Sequence, residues 1–261
     1  MKIISTTLAA IAGFTVCLSS ALAADDAFVG KWKMNPAKSQ LGGQQYKVEE
    51  AGEGKYRFVN GDDVETYGTD GKDYPTKAGN TVAITPAGSN TWKFSRKRDG
   101  KVYSTGTWTL SDDGQMITTS NDNTRPDDST FRTEAKRKRI AGASGFVGTW
   151  ESVEVKVGEP TPFEVEKWKG DGYSLINPAF QGRVDFKLDG KEYTGKGPRV
   201  PAGATMSGKR VDDRTMELTF KLKGKKRSTE RWVVSADGKT LTQTVTDAGQ
   251  SKPEIEVYER Q

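Results

Sequence analysis

The chain has 261 residues, of which 33% are hydrophobic and 29% charged, and its 40 Lys and Arg against 35 Asp and Glu give a formal net charge of +5. It contains no histidine and a single cysteine, Cys17. These counts exclude a Ser-His-Asp triad, a Cys-His dyad, a His-ligated haem and ordinary zinc or copper sites. Because basic and acidic residues are interspersed, the positive charge does not indicate a nucleic-acid partner.

The N-terminus has the pattern of a secretory signal peptide: a positive residue, an apolar stretch from Ile3 to Val16, and the small-residue site Ala21-Leu22-Ala23. A transmembrane anchor is the alternative, but the apolar stretch is short and no basic residues follow it. Val16 stands where a lipoprotein signal requires a small residue before Cys17. We therefore expect cleavage after Ala23, no lipid or transmembrane anchor, a periplasmic or secreted location, and no disulfide in the mature chain.

The rest of the chain repeats itself. Phe28-Val29-Gly30-Lys31-Trp32 recurs as Phe146-Val147-Gly148-Thr149-Trp150, and Asp70-Gly71-Lys72-Asp73-Tyr74 recurs as Asp189-Gly190-Lys191-Glu192-Tyr193. Such self-similarity predicts two copies of one structural unit. The predicted organisation is a signal peptide at 1–23, a first domain at 24–139, a flexible linker at 140–145 and a second domain at 146–261.

Apolar residues alternate with polar ones, which is typical of β-strands with one buried face. The clearest example runs from Met216 to Lys223, where Met216, Leu218, Phe220 and Leu222 alternate with charged residues and threonine. Little helix is expected beyond one turn at 35–39. Asp-Gly and Asn-Gly pairs, which predict type I′ hairpin turns, occur at 60–61, 70–71, 99–100, 113–114, 171–172, 189–190 and 237–238.

These runs give about eight short strands per domain, joined by tight hairpins. A meander of that length usually closes on itself, since closure removes exposed strand edges. The predicted fold class is all-β, with two tandem antiparallel up-and-down barrels.

A Gly-x-Trp at the first strand of each copy, followed by a meander and a late arginine, resembles the lipocalin-like barrels of the calycin superfamily. The stretch from Gly30 to Ser39 is also similar to the start of uncharacterised secreted bacterial lipocalin-like proteins. The resemblance implies that each Trp closes one end of its barrel while an Arg stacks across it. The residues of this signature are Gly30, Trp32, Arg139, Gly148, Trp150 and Arg260.

Adjacent aspartates are the remaining candidates for catalysis or metal binding. A carboxylate pair can cleave a glycosidic bond, but these pairs lie in turn-like segments where Asp bonds its own backbone. Asn121-Asp122-Asn123 lacks the glycine and the glutamate of a calcium-binding loop. We therefore expect no enzyme activity, metal or cofactor. The pairs are Asp62-Asp63, Asp112-Asp113, Asp127-Asp128 and Asp212-Asp213.

Aromatic residues supply the candidate ligand-binding site. Trp108 and Trp232 occupy equivalent positions in the two copies, which favours the core, whereas Trp92 and Trp168 have no counterpart. Unmatched rings are the better candidates for a specialised surface at a barrel mouth, although ordinary core is the preferred interpretation. The candidate ligand-binding residues are Trp92, Phe163, Trp168, Tyr173 and Phe180.

The basic run Lys136-Arg137-Lys138-Arg139 favours an edge strand, whose charges discourage aggregation, over contact with an anionic lipid or glycan. The leading hypothesis is a non-catalytic exported binding protein that holds a small apolar or glycan-like molecule at a barrel mouth or between the barrels. The alternative is an envelope structural or interaction protein with filled barrels that binds protein or polysaccharide. An enzyme acting through carboxylates alone is the third hypothesis.

Overall fold

The structure is a computed structural model that describes residues 26–61, 63–142 and 144–261, and the predicted signal peptide with its cleavage site lies outside these ranges. Within them the chain is all-β, and the one helical element is a 3₁₀ turn at Pro178–Phe180. The twenty strands of the described residues are β1 (Gly30–Met34), β2 (Gln45–Glu50), β3 (Lys55–Asn60), β4 (Asp63–Gly68), β5 (Tyr74–Pro75), β6 (Thr81–Pro86), β7 (Thr91–Arg98), β8 (Lys101–Leu110), β9 (Met116–Thr124), β10 (Thr130–Ala141), β11 (Gly148–Val157), β12 (Phe163–Trp168), β13 (Gly172–Asn177), β14 (Gly182–Phe186), β15 (Tyr193–Thr194), β16 (Ala204–Asp212), β17 (Thr215–Leu222), β18 (Lys225–Val234), β19 (Thr240–Asp247) and β20 (Glu254–Arg260).

The strands form two antiparallel sheets of ten strands each, both curled into nearly closed barrels. Barrel one contains β2 to β11, in the order β4-β3-β2-β11-β10-β9-β8-β7-β6-β5. Barrel two contains β1 and β12 to β20, in the order β14-β13-β12-β1-β20-β19-β18-β17-β16-β15. Each count exceeds the predicted eight by two, and one strand of each sheet, β5 or β15, has only two residues.

The ends of each sheet meet. In barrel one, Tyr67 on β4 packs edge-on against Tyr74 on β5, with ring centroids 6.4 Å apart. In barrel two, Arg183 on β14 exchanges two backbone hydrogen bonds with Lys196, just after β15. The predicted up-and-down barrel architecture is therefore confirmed.

The two barrels exchange their first strands. β1 lies between β12 and β20, so that Trp32 faces Phe163 on one side and Arg260 on the other. β11 lies between β10 and β2, so that Trp150 faces Arg139 and Tyr46. The sheets therefore do not coincide with the predicted segments 24–139 and 146–261, since each takes one strand from the other segment. The predicted linker at 140–145 also begins inside β10, which extends to Ala141.

Each barrel has its own apolar core, and the predicted alternation produces it. On β17, Met216 and Leu218 are fully buried while Glu217 points outward, as the period of two requires. Trp32 belongs to the core of barrel two and Trp150 to that of barrel one, consistent with the exchanged strands.

A tryptophan and an arginine close one end of each barrel with nearly identical geometry. The guanidinium carbon of Arg260 lies 4.2 Å from the ring centroid of Trp32, and that of Arg139 lies 4.2 Å from the ring centroid of Trp150. Each indole Nε1 donates to the backbone oxygen of the phenylalanine four residues earlier, at 2.9 Å. Each arginine also donates to three backbone carbonyls. The cation–π contact therefore joins residues of opposite sequence copies.

Replacing Gly30 or Gly148 with alanine should destabilise the barrel that contains it by about 2–4 kcal/mol, since both have positive φ, +145° and +150°. A Cβ at either position would also collide with Nη1 of Arg260 or Arg139, respectively. Those side chains cannot easily move, because three carbonyls hold each one. Urea unfolding measures the loss, and Gly52→Ala, also at positive φ but with open space around it, separates the collision from backbone strain. Equal losses in all three variants would contradict the proposed closing role.

The tight turns only partly follow the prediction. Of the predicted pairs, only Asp99-Gly100 has positive φ at both residues, as a type I′ turn requires. At Asp70, Asp113, Asp189 and Asp237 the carboxylate instead accepts the backbone N–H two residues later. The aspartate side chain thus shapes these turns, and glycine alone takes the positive φ. A non-glycine residue followed by glycine, both with positive φ, also occurs at Glu53-Gly54, Lys169-Gly170 and Lys223-Gly224.

The predicted edge position of the basic run is wrong. β10 is hydrogen-bonded to β9 on one side and β11 on the other. Lys136 points outward and pairs with Glu154 at 2.8 Å, whereas Arg137 and Arg139 point into the barrel. The expected helical turn at 35–39 consists of hydrogen-bonded turns rather than helix. No helix of the described ranges has the length and apolar character needed to cross a membrane.

Candidate functional site

Barrel one contains a cavity of about 460 Å³. Its walls are largely aromatic, because inward-pointing positions of several neighbouring strands carry rings. Trp92 on β7 is the register partner of Trp108 on β8, and the two indoles stack with centroids 6.3 Å apart. The volume lies within the range of small-molecule pockets in proteins. The aromatic lining residues are Tyr46, Phe58, Tyr67, Trp92, Phe94, Tyr103 and Trp108.

Two arginines without carboxylate partners among the described residues line this cavity. Arg137 enters from β10: its Nη1 donates to Thr119 Oγ1 at 2.7 Å, its guanidinium carbon lies 5.4 Å from the Tyr46 ring, and its buried Nε has no partner. Burial lowers the pKa of Arg137 and nearby Arg96 lowers it further, but a guanidinium remains protonated in proteins. Arg96 is exposed and lies 5.3 Å from the Phe94 ring.

The carboxylates of the same cavity are already engaged. Glu65 accepts hydrogen bonds from the Tyr67 hydroxyl and from the backbone N–H of Lys77. Asp63 forms an ion pair with Arg227 of barrel two. The two arginines of barrel one therefore leave excess positive charge beside the aromatic walls.

Barrel two contributes to the mouth of the cavity. Leu222 and Arg227, on strands β17 and β18, are among the lining residues. Gln44, another lining residue, donates from Nε2 to Asp247 of barrel two at 3.0 Å. The cavity therefore opens where the two barrels touch.

The interior of barrel two has the opposite charge. Glu230 accepts a hydrogen bond from Trp232 Nε1 at 2.7 Å, and Glu256 accepts one from the Tyr258 hydroxyl at 2.5 Å. Burial, together with the negative charges of Glu256 and Asp247, raises the pKa of Glu230 to about 7 against the lowering effect of the Trp232 hydrogen bond. Burial also raises the pKa of Glu256. No lysine or arginine of the described residues forms an ion pair with Glu230 or Glu256.

The five predicted ligand-binding residues do not form one site. Trp92 lines the cavity of barrel one, where its ring stacks on Phe146 at 4.0 Å. Phe163 lies inside barrel two, against Trp232 and Tyr258. Of the five predicted residues, these two rings therefore lie inside a barrel, one in each.

The other three predicted residues lie elsewhere. Tyr173 is fully buried at the closed end of barrel two, where its hydroxyl donates to Asp26 and accepts from Arg210. Trp168 is partly exposed at the end of β12, beneath the Lys169 ammonium at 4.9 Å. Phe180 packs against Phe131 of barrel one, with centroids 6.1 Å apart.

The charged groups inside the barrels were not predicted from the sequence. Arg137 was visible in the alternation of β10, which places it on the same face as Ala135 and Arg139. Glu230 and Glu256 likewise alternate with outward residues, beside Trp232 and Tyr258. Charged residues at inward positions of a strand were the available signal.

Across the described part of the chain, no three Asp, Glu, Cys or His side chains are arranged to hold a metal ion. No family model matches the sequence, and no curated protein matches it. Among solved structures the chain is similar to a subtype N11 neuraminidase-like protein of A/flat-faced bat/Peru/033/2010, with 8% identity over 89% of this chain and 94% of that chain and a TM-score of 0.14. At this TM-score the likeness indicates neither a shared fold nor a shared activity.

Proposed function

We propose that the protein is an exported, non-catalytic binding protein of the lipocalin-like type, and that barrel one holds a small molecule with an apolar body and an anionic group. The observation that carries this proposal is the aromatic cavity of about 460 Å³, into which Arg137 points without a carboxylate partner among the described residues. The apolar body packs on the rings, and a carboxylate, sulfonate or phosphate binds the arginines.

The energetics favour an anion. A guanidinium turned into a partly desolvated cavity without a counter-ion is destabilised, and a bound anion restores the missing interaction. Arginine also presents a planar fork of donors that matches the oxygens of carboxylate and phosphate groups. Glu65 and Asp63 do not supply this counter-charge, since other donors hold them.

A matched pair of fluorescent probes tests the proposal. The anion 8-anilinonaphthalene-1-sulfonate and neutral N-phenyl-1-naphthylamine share one ring system and differ in the sulfonate. We expect the mature protein to bind the anion at least tenfold more tightly, a preference of about 1.4 kcal/mol. Arg137→Met should remove most of that preference, because it removes the guanidinium that binds the sulfonate.

The control is Arg132→Met on the same strand, because Arg132 points outward and pairs with Glu134 at 3.0 Å. Its probe preference should equal that of the unmodified protein. Equal binding of both probes, or a preference that survives Arg137→Met, would place the anion elsewhere. If the proposal is correct, native mass spectrometry of protein purified gently from its own host should also show a retained anionic compound.

A second candidate function, binding of protein or polysaccharide in the cell envelope, draws support from a groove of about 480 Å³ along strands β16 to β19 of barrel two. Its hydroxyl side chains suit a polar polymer. A clean apo mass from the native host, together with binding of an envelope polymer, favours this function over ligand carriage. The hydroxyl residues of the groove are Ser207, Thr219, Thr229, Thr244 and Thr246.

A further inference from the structure

We infer that the ligand of barrel one is an aromatic carboxylate, and that the hydroxyl of Tyr46 binds its carboxylate group together with Arg137. This inference rests on the proposed function: it names the class of the ligand and adds a binding residue that the proposal leaves unassigned. Two features of the cavity support it, a pair of buried donors without partners and a wall of aromatic rings that begins at one of them.

The Tyr46 hydroxyl is the first donor. Tyr46 lies on β2 and lines the cavity, and its buried hydroxyl oxygen has no hydrogen-bond partner among the described residues. Burial raises the pKa of Tyr46 far above its usual range, although the charge of Arg137 opposes this effect. The hydroxyl therefore stays protonated and can donate. Buried polar groups are nearly always hydrogen-bonded, so an unpaired hydroxyl in a cavity wall indicates an acceptor on the ligand.

The Arg137 guanidinium is the second donor, and it lies beside the first. Arg137 and Tyr46 pair with β11 from its two sides, at Ser152 and Trp150 respectively, and the guanidinium carbon lies 5.4 Å from the Tyr46 ring centroid. Thr119 accepts from Nη1, which leaves the buried Nε without a partner. Of the five buried polar side-chain atoms that lack a partner among the described residues, these two alone belong to residues of the cavity wall.

A carboxylate satisfies both donors at once. It is planar, as a guanidinium is, and its two oxygens accept several hydrogen bonds. Its single negative charge balances the single positive charge of Arg137. A phosphate monoester brings a second negative charge, and Arg96, the other arginine of barrel one in the cavity wall, is exposed, so that it gains little from an ion pair. A neutral amide accepts from Tyr46 but leaves the guanidinium without a counter-ion.

The cavity wall next to Tyr46 consists of aromatic rings. The Tyr46 ring lies 5.4 Å from the Trp108 ring, and the Trp108 ring lies 5.7 Å from the Phe58 ring in an edge-to-face arrangement. Contacts between aromatic rings stabilise beyond the burial of their area. A flat aromatic body that is coplanar with its carboxylate therefore fits this wall better than a saturated one.

Calorimetry of the mature full chain at pH 8 with 2-naphthoate and its neutral isostere 2-naphthamide tests the inference. We expect 2-naphthoate to bind at least tenfold more tightly. Tyr46→Phe keeps the ring and should weaken 2-naphthoate binding about tenfold, because it removes a hydrogen bond to a charged group. The control is Tyr193→Phe, since Tyr193 lies in barrel two and its hydroxyl donates to Asp189 at 3.0 Å. Its affinity for 2-naphthoate should equal that of the unmodified protein.

Two further measurements address the aromatic body and the role of the hydroxyl. Decahydro-2-naphthoate, the saturated counterpart, should bind about fivefold more weakly than 2-naphthoate. Urea unfolding without ligand should show that Tyr46→Phe does not lower the free energy of unfolding, because the hydroxyl has no hydrogen bond to lose. A hydroxyl with a structural role would lower it.

The outcomes separate this inference from the proposed function. If 2-naphthoate binds more tightly than 2-naphthamide and Arg137→Met removes the difference, the anion site of the proposed function is correct. The inference alone is then overturned by a Tyr46→Phe protein that binds 2-naphthoate as tightly as the unmodified protein, by one that is less stable without ligand, or by equal binding of the saturated acid. Equal binding of 2-naphthoate and 2-naphthamide to the unmodified protein would contradict both.

Discussion

Glu230→Gln should raise the free energy of unfolding at pH 8 by about 3 kcal/mol and leave it nearly unchanged at pH 4. Burial raises the pKa of Glu230 from 4.5 to about 7. The folded protein therefore binds this proton more tightly than the unfolded chain, and stability falls as the pH rises from about 4.5 through 7. The increase in pKa from 4.5 to about 7 corresponds to about 3 kcal/mol of destabilisation above pH 7.

Glutamine removes the charge and keeps the oxygen that accepts from Trp232 Nε1. Urea unfolding at several pH values between 4 and 8 measures the difference between the two proteins. The difference should be absent at low pH and grow across the window, because only the unmodified protein loses a proton there. Glu192→Gln, whose carboxylate lies on the outside, should reproduce the pH profile of the unmodified protein. A Glu230→Gln protein that is no more stable at pH 8 would show that Glu230 is not desolvated in solution.

Glu230 and Glu256 therefore make barrel two less stable at neutral pH than at pH 4, because burial raises the pKa of both carboxyls. In the cavity of barrel one the uncompensated charge has the opposite sign, since it is the Arg137 guanidinium.

The architecture was largely predictable because it depends on local patterns. The alternation of Met216 to Leu222 specifies a half-buried strand, and Gly30 with Trp32 marks a strand whose ring closes a barrel end. Most predicted turn pairs coincide with turns or bends, although Gly172 lies in β13 and the turn before it is at Lys169-Gly170. The turn types were not predicted, because their geometry depends on whether an aspartate side chain accepts a backbone N–H. That choice depends on atoms beyond the dipeptide.

The site was less predictable, for a physical reason. Phe163 and Trp92 were identified as candidate rings, yet the strand order places them in different barrels. Trp168 lies on the same strand as Phe163, and Tyr173 lies on the next strand of the hairpin. Tyr173 is nevertheless at the closed end of the barrel, whereas Phe163 is in its interior. Sequence proximity therefore grouped residues that the barrels separate.

Strand exchange was beyond the reach of sequence analysis, because the two copies offer equivalent partners. Phe28 to Trp32 and Phe146 to Trp150 are nearly the same peptide, and each could lie beside β20 or beside β10. The residues of the first strand alone therefore do not distinguish the two arrangements.

Trp32→Ala should cost about 3–5 kcal/mol and should loosen barrel two, although Trp32 precedes every strand of barrel one. Its fully buried indole packs in the core of barrel two and beneath Arg260. Hydrogen exchange should show the earliest loss of amide protection in β12 and β20, the strands that pair with β1. Because each barrel depends on a strand from the other segment, urea should unfold the unmodified protein in one transition.

Trp150→Ala is the mirror-image control. Trp150 is also fully buried and lies beneath Arg139, so its removal should cost a similar free energy. The loss of protection should now fall in β10 and β2, with β12 and β20 spared. If Trp32→Ala instead exposed β2, the first strand would lie in its own sequence copy in solution, and the exchange would be wrong. The two variants make the same chemical change, a tryptophan replaced by alanine, in different barrels. The strands that lose protection therefore show which barrel contains each tryptophan.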